Sequence, residues 1–239
     1  MEEESKSKNS NMMIPGAIIV AGVIIAGAVM YSSGATPQAG SGQAAAVRAG
    51  GGAQNGVIEN IKPVTEDDHI RGDFNAAVKI VEFSDLQCPF CQRFHATMKQ
   101  VMENYEGEVA WIYRHFPLES IHARARGEAE GSECAAELGG NDAFWKFVDA
   151  LFEAEPNVSL ADLPQIAESI GLDRAAFKTC VDDRRYKDAV QADLEDATNS
   201  GGTGTPYSIV IAKDGTKFVI PGALPYESIK KIIDAALEN

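Results

Sequence analysis

In the middle of the chain, segments with the residue pattern of a strand alternate with a segment whose apolar residues recur at helical spacing. The segment "AAVKIVEFSD", which ends at Asp85, is rich in β-branched and aromatic residues and predicts a buried strand. The next segment, "CPFCQRFHATMKQVMENYEG", has apolar residues at helical spacing and stops at Gly107, and "EVAWIYRHFPL" predicts a second strand. This order predicts a β–α–β unit with parallel strands and a right-handed crossover.

A long helical region follows, from about residue 118 to residue 200. Five segments in it predict helices: "HARARGEAEGSECAAELG", "NDAFWKFVDALFEAE", "SLADLPQIAESIG", "DRAAFKTCVDD" and "YKDAVQADLEDATNS". After "GGTGTP", the segments "YSIVIA" and "KFVI" predict a hairpin, and "LPYESIKKIIDAALEN" predicts an amphipathic helix. The predicted fold class is α/β, with a helical insertion before the final hairpin and helix.

The segment from Met12 to Tyr31, "MMIPGAIIVAGVIIAGAVMY", contains no charged residue. At about 1.5 Å per residue, a helix of this length can span a bilayer. A cleaved signal peptide is the main alternative, but it would need a basic leader, and "MEEESKSKNS" holds more acids than bases. The sequence therefore predicts an uncleaved transmembrane anchor at residues 12–31 and a cytoplasmic tail at residues 1–11.

Few charges set the orientation of this anchor. Lys6 and Lys8 precede it and Arg48 lies well after it, which favours an N-terminus inside the cell and a body outside. Residues 32–56 are mostly Gly, Ala, Ser and Gln and predict a flexible linker with a reach of roughly 25–30 Å. Residues 57–239 would then form a periplasmic or extracellular domain.

The charge of the chain limits its partners. Its formal net charge is −14 at pH 7. An acidic body argues against nucleic acid as a partner, because nucleic-acid binding uses basic surfaces.

Two cysteines, Cys88 and Cys91, stand three residues apart where the predicted strand gives way to the helix. Such a pair shares one helix face, so the sulfurs can meet, but so small a ring contributes little as a structural crosslink. Cys88 at the helix N-terminus would be exposed and favoured as a thiolate, and Cys91 would be sheltered one turn further in. This asymmetry is typical of a dithiol–disulfide catalyst.

A zinc site is the alternative interpretation, because two cysteines at this spacing also form half of a four-cysteine site. The other half should be a second close pair. Here Cys134 and Cys180 are far apart in sequence, so we predict no metal and no cofactor.

The motifs "EFSDLQCPFC", "YRHFPL", "ECAAE", "FWKF", "TGTP" and "GALPYESI" together resemble the DsbA-like thiol:disulfide oxidoreductases of the thioredoxin superfamily, in their membrane-tethered bacterial and archaeal form. The resemblance covers about residues 60 to 239 and implies a thioredoxin fold with a helical insertion. The dipeptide between the cysteines is Pro89-Phe90, whereas the best-known DsbA enzymes have Pro-His.

The resemblance also implies roles for residues around the cysteines. Glu82 matches a buried acid beneath the active site that could take a proton from Cys91, although periodicity alone allows an exposed carboxylate instead. Pro206 matches the cis-proline that faces the pair, and Thr205 would offer backbone groups to a substrate strand. Pro89 and Phe90 are predicted to contact substrate as well. His95, one turn past Cys91, is expected to be a partly exposed helix residue.

Cys134 and Cys180 both lie in the predicted insertion. Once Cys88 and Cys91 are set aside, two cysteines remain, and in a protein outside the cytoplasm this favours a second, structural disulfide between them. Two buried free thiols, or a regulatory pair, are the alternatives.

The predicted function is disulfide formation in exported proteins by exchange at Cys88 and Cys91. The predicted partners are unfolded proteins with reduced cysteines and a membrane quinone-linked reoxidase of the DsbB or vitamin K epoxide reductase type, which the resemblance alone implies. A reductase or isomerase is the alternative with the same chemistry. A peptide- or metal-binding module on a membrane stalk is an alternative of another class.

Overall fold

The computed structural model describes residue 58 and residues 60–239. The predicted tail, anchor and linker, residues 1–56, lie outside the described residues. Within the described part, no helix is both long enough and apolar enough to cross a membrane.

A five-stranded mixed sheet forms the centre of the described region, with the strand order β1-β3-β2-β4-β5. The strands are β1 (His69–Arg71), β2 (Val78–Ser84), β3 (Val109–His115), β4 (Tyr207–Ile211) and β5 (Lys217–Pro221). The central pair, β2 and β3, is parallel, and the other pairs are antiparallel. The predicted β–α–β unit and terminal hairpin are therefore confirmed.

Helices cover the sheet and build the insertion. They are α1 (Pro89–Asn104), α2 (Ala125–Ala154), a 3-10 turn (Leu160–Asp162), α3 (Leu163–Ser169), α4 (Arg174–Asp182), α5 (Lys187–Asn199) and α6 (Tyr226–Leu237). Two predicted helices are joined into α2, which bends at Gly140, where φ is 72°. Glycine adopts this left-handed conformation without the steric cost that other residues incur. Strand β1 was not predicted; its three residues are too few to show a period.

Both faces of the sheet are buried. On one face, Ile80 and Trp111 pack against Phe94 and Met98 of α1 and against the insertion. On the other face lies a second apolar cluster, which includes Phe83 of β2. Strand β2 is consequently buried almost along its whole length, and its carboxyl end carries the loop to α1.

The insertion has a covalent crosslink between α2 and α4. Cys134 and Cys180 form a disulfide with an S–S distance of 2.01 Å across a sequence separation of 46 residues. Both residues are fully buried, and the rings of Phe147 and Phe177 of the same two helices contact each other at a tilt, with centroids 5.3 Å apart. The crosslink therefore lies inside an apolar contact between these helices.

Candidate active site

Asp85 organises the loop between β2 and α1. It is buried, its backbone carbonyl accepts a hydrogen bond from the Cys88 N–H at 3.0 Å, and its carboxylate accepts one from the Gln87 N–H at 2.8 Å. The second carboxylate oxygen accepts from the Leu118 N–H at 2.8 Å and lies 2.8 Å from Nδ1 of His122. One side chain thus holds the turn before Cys88 and the loop after β3 together.

Cys88 is the N-cap residue of α1, and Pro89 occupies the first helical position, where no N–H is needed. Both Cys88 and Cys91 are free thiols. Cys91 is fully buried, as expected, and accepts a hydrogen bond at its sulfur from the Asp85 N–H at 3.4 Å. The expected exposure of Cys88 is wrong: only 4% of this residue is exposed, because Thr205 lies against it.

The two thiols differ strongly in acidity. A hydrogen bond from Cys91, assisted by backbone N–H groups at the helix start and by Thr205, lowers the pKa of Cys88 to about 5. Burial, together with the hydrogen bond to Cys88 and the charge of that residue, raises the pKa of Cys91 well above its ordinary value. At neutral pH Cys88 is therefore a thiolate and a nucleophile, while Cys91 keeps its proton.

Pro206 follows a cis peptide bond from Thr205. Its neighbour Tyr207 begins β4 and pairs with Phe83 near the end of β2, so the cis bond sits beside the loop that carries the cysteines. The Thr205 carbonyl oxygen lies 3.7 Å from the Cys88 sulfur. These contacts place Thr205 against the nucleophile, with Pro206 as the next residue of the chain.

Glu82 is fully buried on the face of β2 that meets α1, so it is not an exposed strand carboxylate. Burial raises the pKa of Glu82 to about 7, although hydrogen bonds from Ser84 and Trp111 act in the opposite direction. Nε1 of Trp111 donates to the carboxylate at 2.8 Å. The negative charge of Glu82 also helps to raise the pKa of Cys91, which places the two groups near each other. A carboxyl that titrates near neutrality is suited to proton exchange with that thiol.

Glu82→Gln is expected to increase the free energy of unfolding at neutral pH and to leave it unchanged in acid. The pKa of this carboxyl is raised from 4.5 to about 7 by folding, so between these values the folded state keeps a proton that the unfolded chain releases. The folded wild type therefore loses free energy of unfolding as the pH rises from about 4.5 to about 7. The difference should reach about 3 kcal/mol above pH 7.

Urea unfolding of both proteins at about pH 4, 6 and 8 measures this effect. Glu103→Gln, which changes an exposed glutamate of α1, is the matched control. Parallel pH dependences for the wild type and Glu82→Gln would contradict the assignment.

The dipeptide between the cysteines faces outward. Pro89 is exposed, 54% of Phe90 is exposed, and the Arg93 guanidinium lies 4.7 Å from the centre of the Phe90 ring. Ile121, which is 70% exposed, lies in the loop that Asp85 holds. Apolar side chains of the cysteine loop and of the loop after β3 are thus available to a bound protein.

Sequence reasoning missed Asp85 and His122, because only the folded chain brings the loop after β3 to the turn before Cys88. The expectation that His95 is partly exposed is also wrong. It is 4% exposed, and its Nε2 lies 2.6 Å from a carboxylate oxygen of Asp149. The long insertion covers it, with Phe152 4.8 Å away between ring centroids.

The sulfurs of Cys134 and Cys180 are bonded to each other. They do not complete a four-cysteine metal site with Cys88 and Cys91.

Several known proteins are similar to this chain. Residues 64–235 match the family model described as Thioredoxin. The chain is 36% identical over 160 residues to the Na(+)/H(+) antiporter NhaA 3 of Salinispora tropica and 33% identical over 156 residues to NhaA 1 of Mycolicibacterium vanbaalenii. These matches cover 66% and 64% of this chain but 24% and 25% of the antiporters, so the chain spans about a quarter of the length of these relatives.

Solved structures show the same fold. DsbA2 of Pseudomonas aeruginosa is 28% identical, with a TM-score of 0.63 and coverage of 74% of this chain and 98% of that one. The α-DsbA1 of Wolbachia pipientis is 25% identical, with a TM-score of 0.62 and coverage of 72% and 92%. Oxidised BdbD of Bacillus subtilis, at 24% identity, shows the fold alone, with a TM-score of 0.64 and coverage of 72% and 94%.

Proposed function

Because this chain belongs to the thioredoxin family and is a DsbA-like thiol:disulfide oxidoreductase within it, we propose that it introduces disulfide bonds into exported proteins. The observation that carries this proposal is the opposite shift of the two thiols: the pKa of Cys88 is lowered to about 5, and that of Cys91 is raised. A low pKa at Cys88 stabilises the reduced pair as a thiolate, which makes the disulfide form a better oxidant.

The exchange proceeds in two displacements. A substrate thiolate attacks the Cys88 sulfur of the disulfide form, so that a substrate–Cys88 bond forms, the Cys88–Cys91 bond breaks, and Cys91 leaves as a thiolate that takes up a proton. A second substrate thiolate then attacks the substrate sulfur of this mixed disulfide and releases Cys88 as a thiolate. Two electrons have passed from the substrate to the cysteine pair.

The surroundings of Cys88 fit an extended, unfolded substrate. The Thr205 carbonyl oxygen lies 3.7 Å from the Cys88 sulfur, which supports the proposal that backbone groups of Thr205 pair with a substrate strand. The exposed side chains of Pro89, Phe90 and Ile121 supply apolar contact at the surface. Such a surface accepts many sequences, as an enzyme that acts on unfolded proteins requires.

The same proposal places the domain outside the cytoplasm, on an anchor at residues 12–31, with a quinone-linked membrane protein that reoxidises the pair. The uncharged N-terminal segment and the naming of its curated relatives as antiporters, which are membrane proteins, support a position at a membrane. Protease added to spheroplasts should release the domain by cutting residues 32–56. Protection of the domain until the membrane is lysed would overturn this placement.

The reduction potential of the domain separates an oxidase from a reductase. We expect a value roughly 50 mV more oxidising than that of thioredoxin, which is about −270 mV, because a nucleophile pKa of about 5 instead of about 7 stabilises the reduced form by about 2.3 kcal/mol at pH 7. Equilibration of the domain with glutathione redox buffers gives this number. A potential at or below that of thioredoxin would identify a reductase instead.

A further inference from the structure

A group of buried polar atoms lies beneath Cys91, on the face of the sheet that meets α1. Four oxygens in it have no hydrogen-bond partner among the described residues: Glu82 Oε1, Ser84 Oγ, Tyr113 OH and Ser208 Oγ. They come from three adjacent strands, since Glu82 of β2 pairs in register with Tyr113 of β3 and Ser208 of β4. None of the four residues is more than 1% exposed. Buried polar atoms are rarely left unpaired, and a redox or catalytic role is one of the reasons for which a group of them occurs.

Ser84 stands between Glu82 and the cysteine loop in the sequence. It follows Glu82 by two residues and therefore lies on the same face of β2, and the next N–H, from Asp85, donates to the Cys91 sulfur at 3.4 Å. No described atom meets full hydrogen-bonding geometry at the Ser84 oxygen. The hydroxyl nevertheless acts through hydrogen bonding to lower the pKa of Glu82 and of Cys91, against the larger effect of burial, which raises both. A hydroxyl that both donates and accepts can turn from one of these groups to the other.

Glu82 acts on Cys91 differently. It raises the pKa of this thiol through its charge, whereas Ser84 acts through a hydrogen bond. The hydrogen bond at full geometry that the Glu82 side chain accepts comes from Trp111, on the neighbouring strand. The hydroxyl of Ser84 therefore influences the pKa of both the carboxyl and the thiol through hydrogen bonding, and it lies on the same strand face as the carboxyl.

We propose that the Ser84 hydroxyl relays the proton between Glu82 and Cys91, so that Cys91 is protonated and deprotonated without contact with bulk solvent. The inference rests on the proposed exchange at Cys88 and Cys91. When substrate attack on Cys88 releases the Cys91 thiolate, Ser84 gives its proton to that sulfur and takes the proton of the Glu82 carboxyl. One S–S bond has formed and one has broken, and Glu82 is left as a carboxylate. When the pair is reoxidised, the proton returns by the reverse path.

Ser84→Ala removes the relay, and Ser208→Ala is the matched control. Both serines are fully buried neighbours of Glu82 with unpartnered hydroxyls, but Ser208 is not among the leading influences on the Cys91 thiol. We follow the reaction of the oxidised protein with a small cysteine peptide in a single turnover from about pH 5 to pH 9, with the rate corrected for the thiolate fraction of the peptide.

The wild type should slow as the pH rises through about 7, where Glu82 loses its proton. Ser84→Ala should react about 100-fold more slowly at pH 6, within the range of a lost acid–base group, and its profile should be flat through pH 7. Ser208→Ala should keep both the rate and the profile. An unchanged rate and profile in Ser84→Ala would overturn the relay.

A second pair of variants tests the relay even if Ser84→Ala does not fold. Ser84→Thr and Ser84→Val have nearly the same shape and suit a strand, but only threonine keeps the hydroxyl. The proposal requires the step near pH 7 in the threonine variant and its absence in the valine variant, and two equal profiles would overturn it. Failure of the proposed function is distinguishable, because the wild type itself would then not react with the peptide.

Discussion

Cys88→Ser is expected to abolish thiol–disulfide exchange completely, which is the largest effect of any single substitution in this chain. A serine hydroxyl neither forms a disulfide nor ionises at neutral pH, and Cys91 is fully buried and holds its proton firmly because its pKa is raised. Incoming thiols therefore find no second sulfur to attack. Oxidation of a reduced, unfolded test protein by each variant measures the loss.

Cys91→Ser should behave in the opposite way. It removes the hydrogen bond from the Cys91 thiol, which is the largest cause of the low pKa of Cys88, but it keeps the backbone N–H groups at the start of α1 and Thr205, which also lower that pKa. It also removes the sulfur that could resolve a mixed disulfide. When a disulfide-bonded test protein is supplied, the Cys88 thiolate attacks its disulfide and displaces one substrate sulfur as a thiolate, so stable adducts between Cys88 and the test protein should accumulate and be visible on non-reducing gels. Measurable turnover by Cys88→Ser above that of a variant with both Cys88→Ser and Cys91→Ser would contradict the division of roles, because it would require direct attack on Cys91.

Removal of the other cysteine pair should affect stability rather than exchange. The disulfide between Cys134 and Cys180 closes 46 residues of sequence, for which the chain-entropy model gives about 4 kcal/mol. Because both positions are fully buried, Cys134→Ala with Cys180→Ala avoids the cost of burying serine hydroxyls. Denaturant unfolding should show a loss of up to about 4 kcal/mol, while the exchange rate at Cys88 stays within a factor of about two.

The control for this double variant is the wild type treated with a reductant strong enough to open the disulfide, which should unfold at a similarly low denaturant concentration. A double variant as stable as the wild type but unable to oxidise a substrate would give the opposite assignment. Cys134 and Cys180 would then belong to the electron path, and the separation into one redox pair and one structural pair would be wrong.

Local patterns were sufficient for the elements nearest the cysteines. The helix start at Cys88 and Pro89 depends on residues within one turn, so the spacing predicted which sulfur would be the more acidic. The two parallel strands and the terminal hairpin follow from periods and turn residues that are equally local. These features need no knowledge of distant contacts.

Periodicity could not predict whether the Glu82 side chain is buried or exposed, because β2 is buried on both faces and has no polar side. The resemblance to a family supplied that expectation. Asp85 and His95 take part of their surroundings from segments 30 or more residues away, as the contacts of Asp85 with Leu118 and of His95 with Asp149 show. Strand β1 forms because its three residues pair with the edge of β3, although they are too few to show a strand pattern in the sequence.

The carboxylate of Asp85 has a consequence for variation among related proteins. It binds the turn before Cys88 and, through Leu118 and His122, the loop that presents Ile121. A change that reshapes this loop for a new client therefore also moves the turn that sets the acidity of the nucleophile. The range of substrates and the oxidising strength should therefore change together. A loop transplanted from a homologue should carry over its substrate contacts, but it should keep the acidity of Cys88 only if the residue at position 85 still binds it.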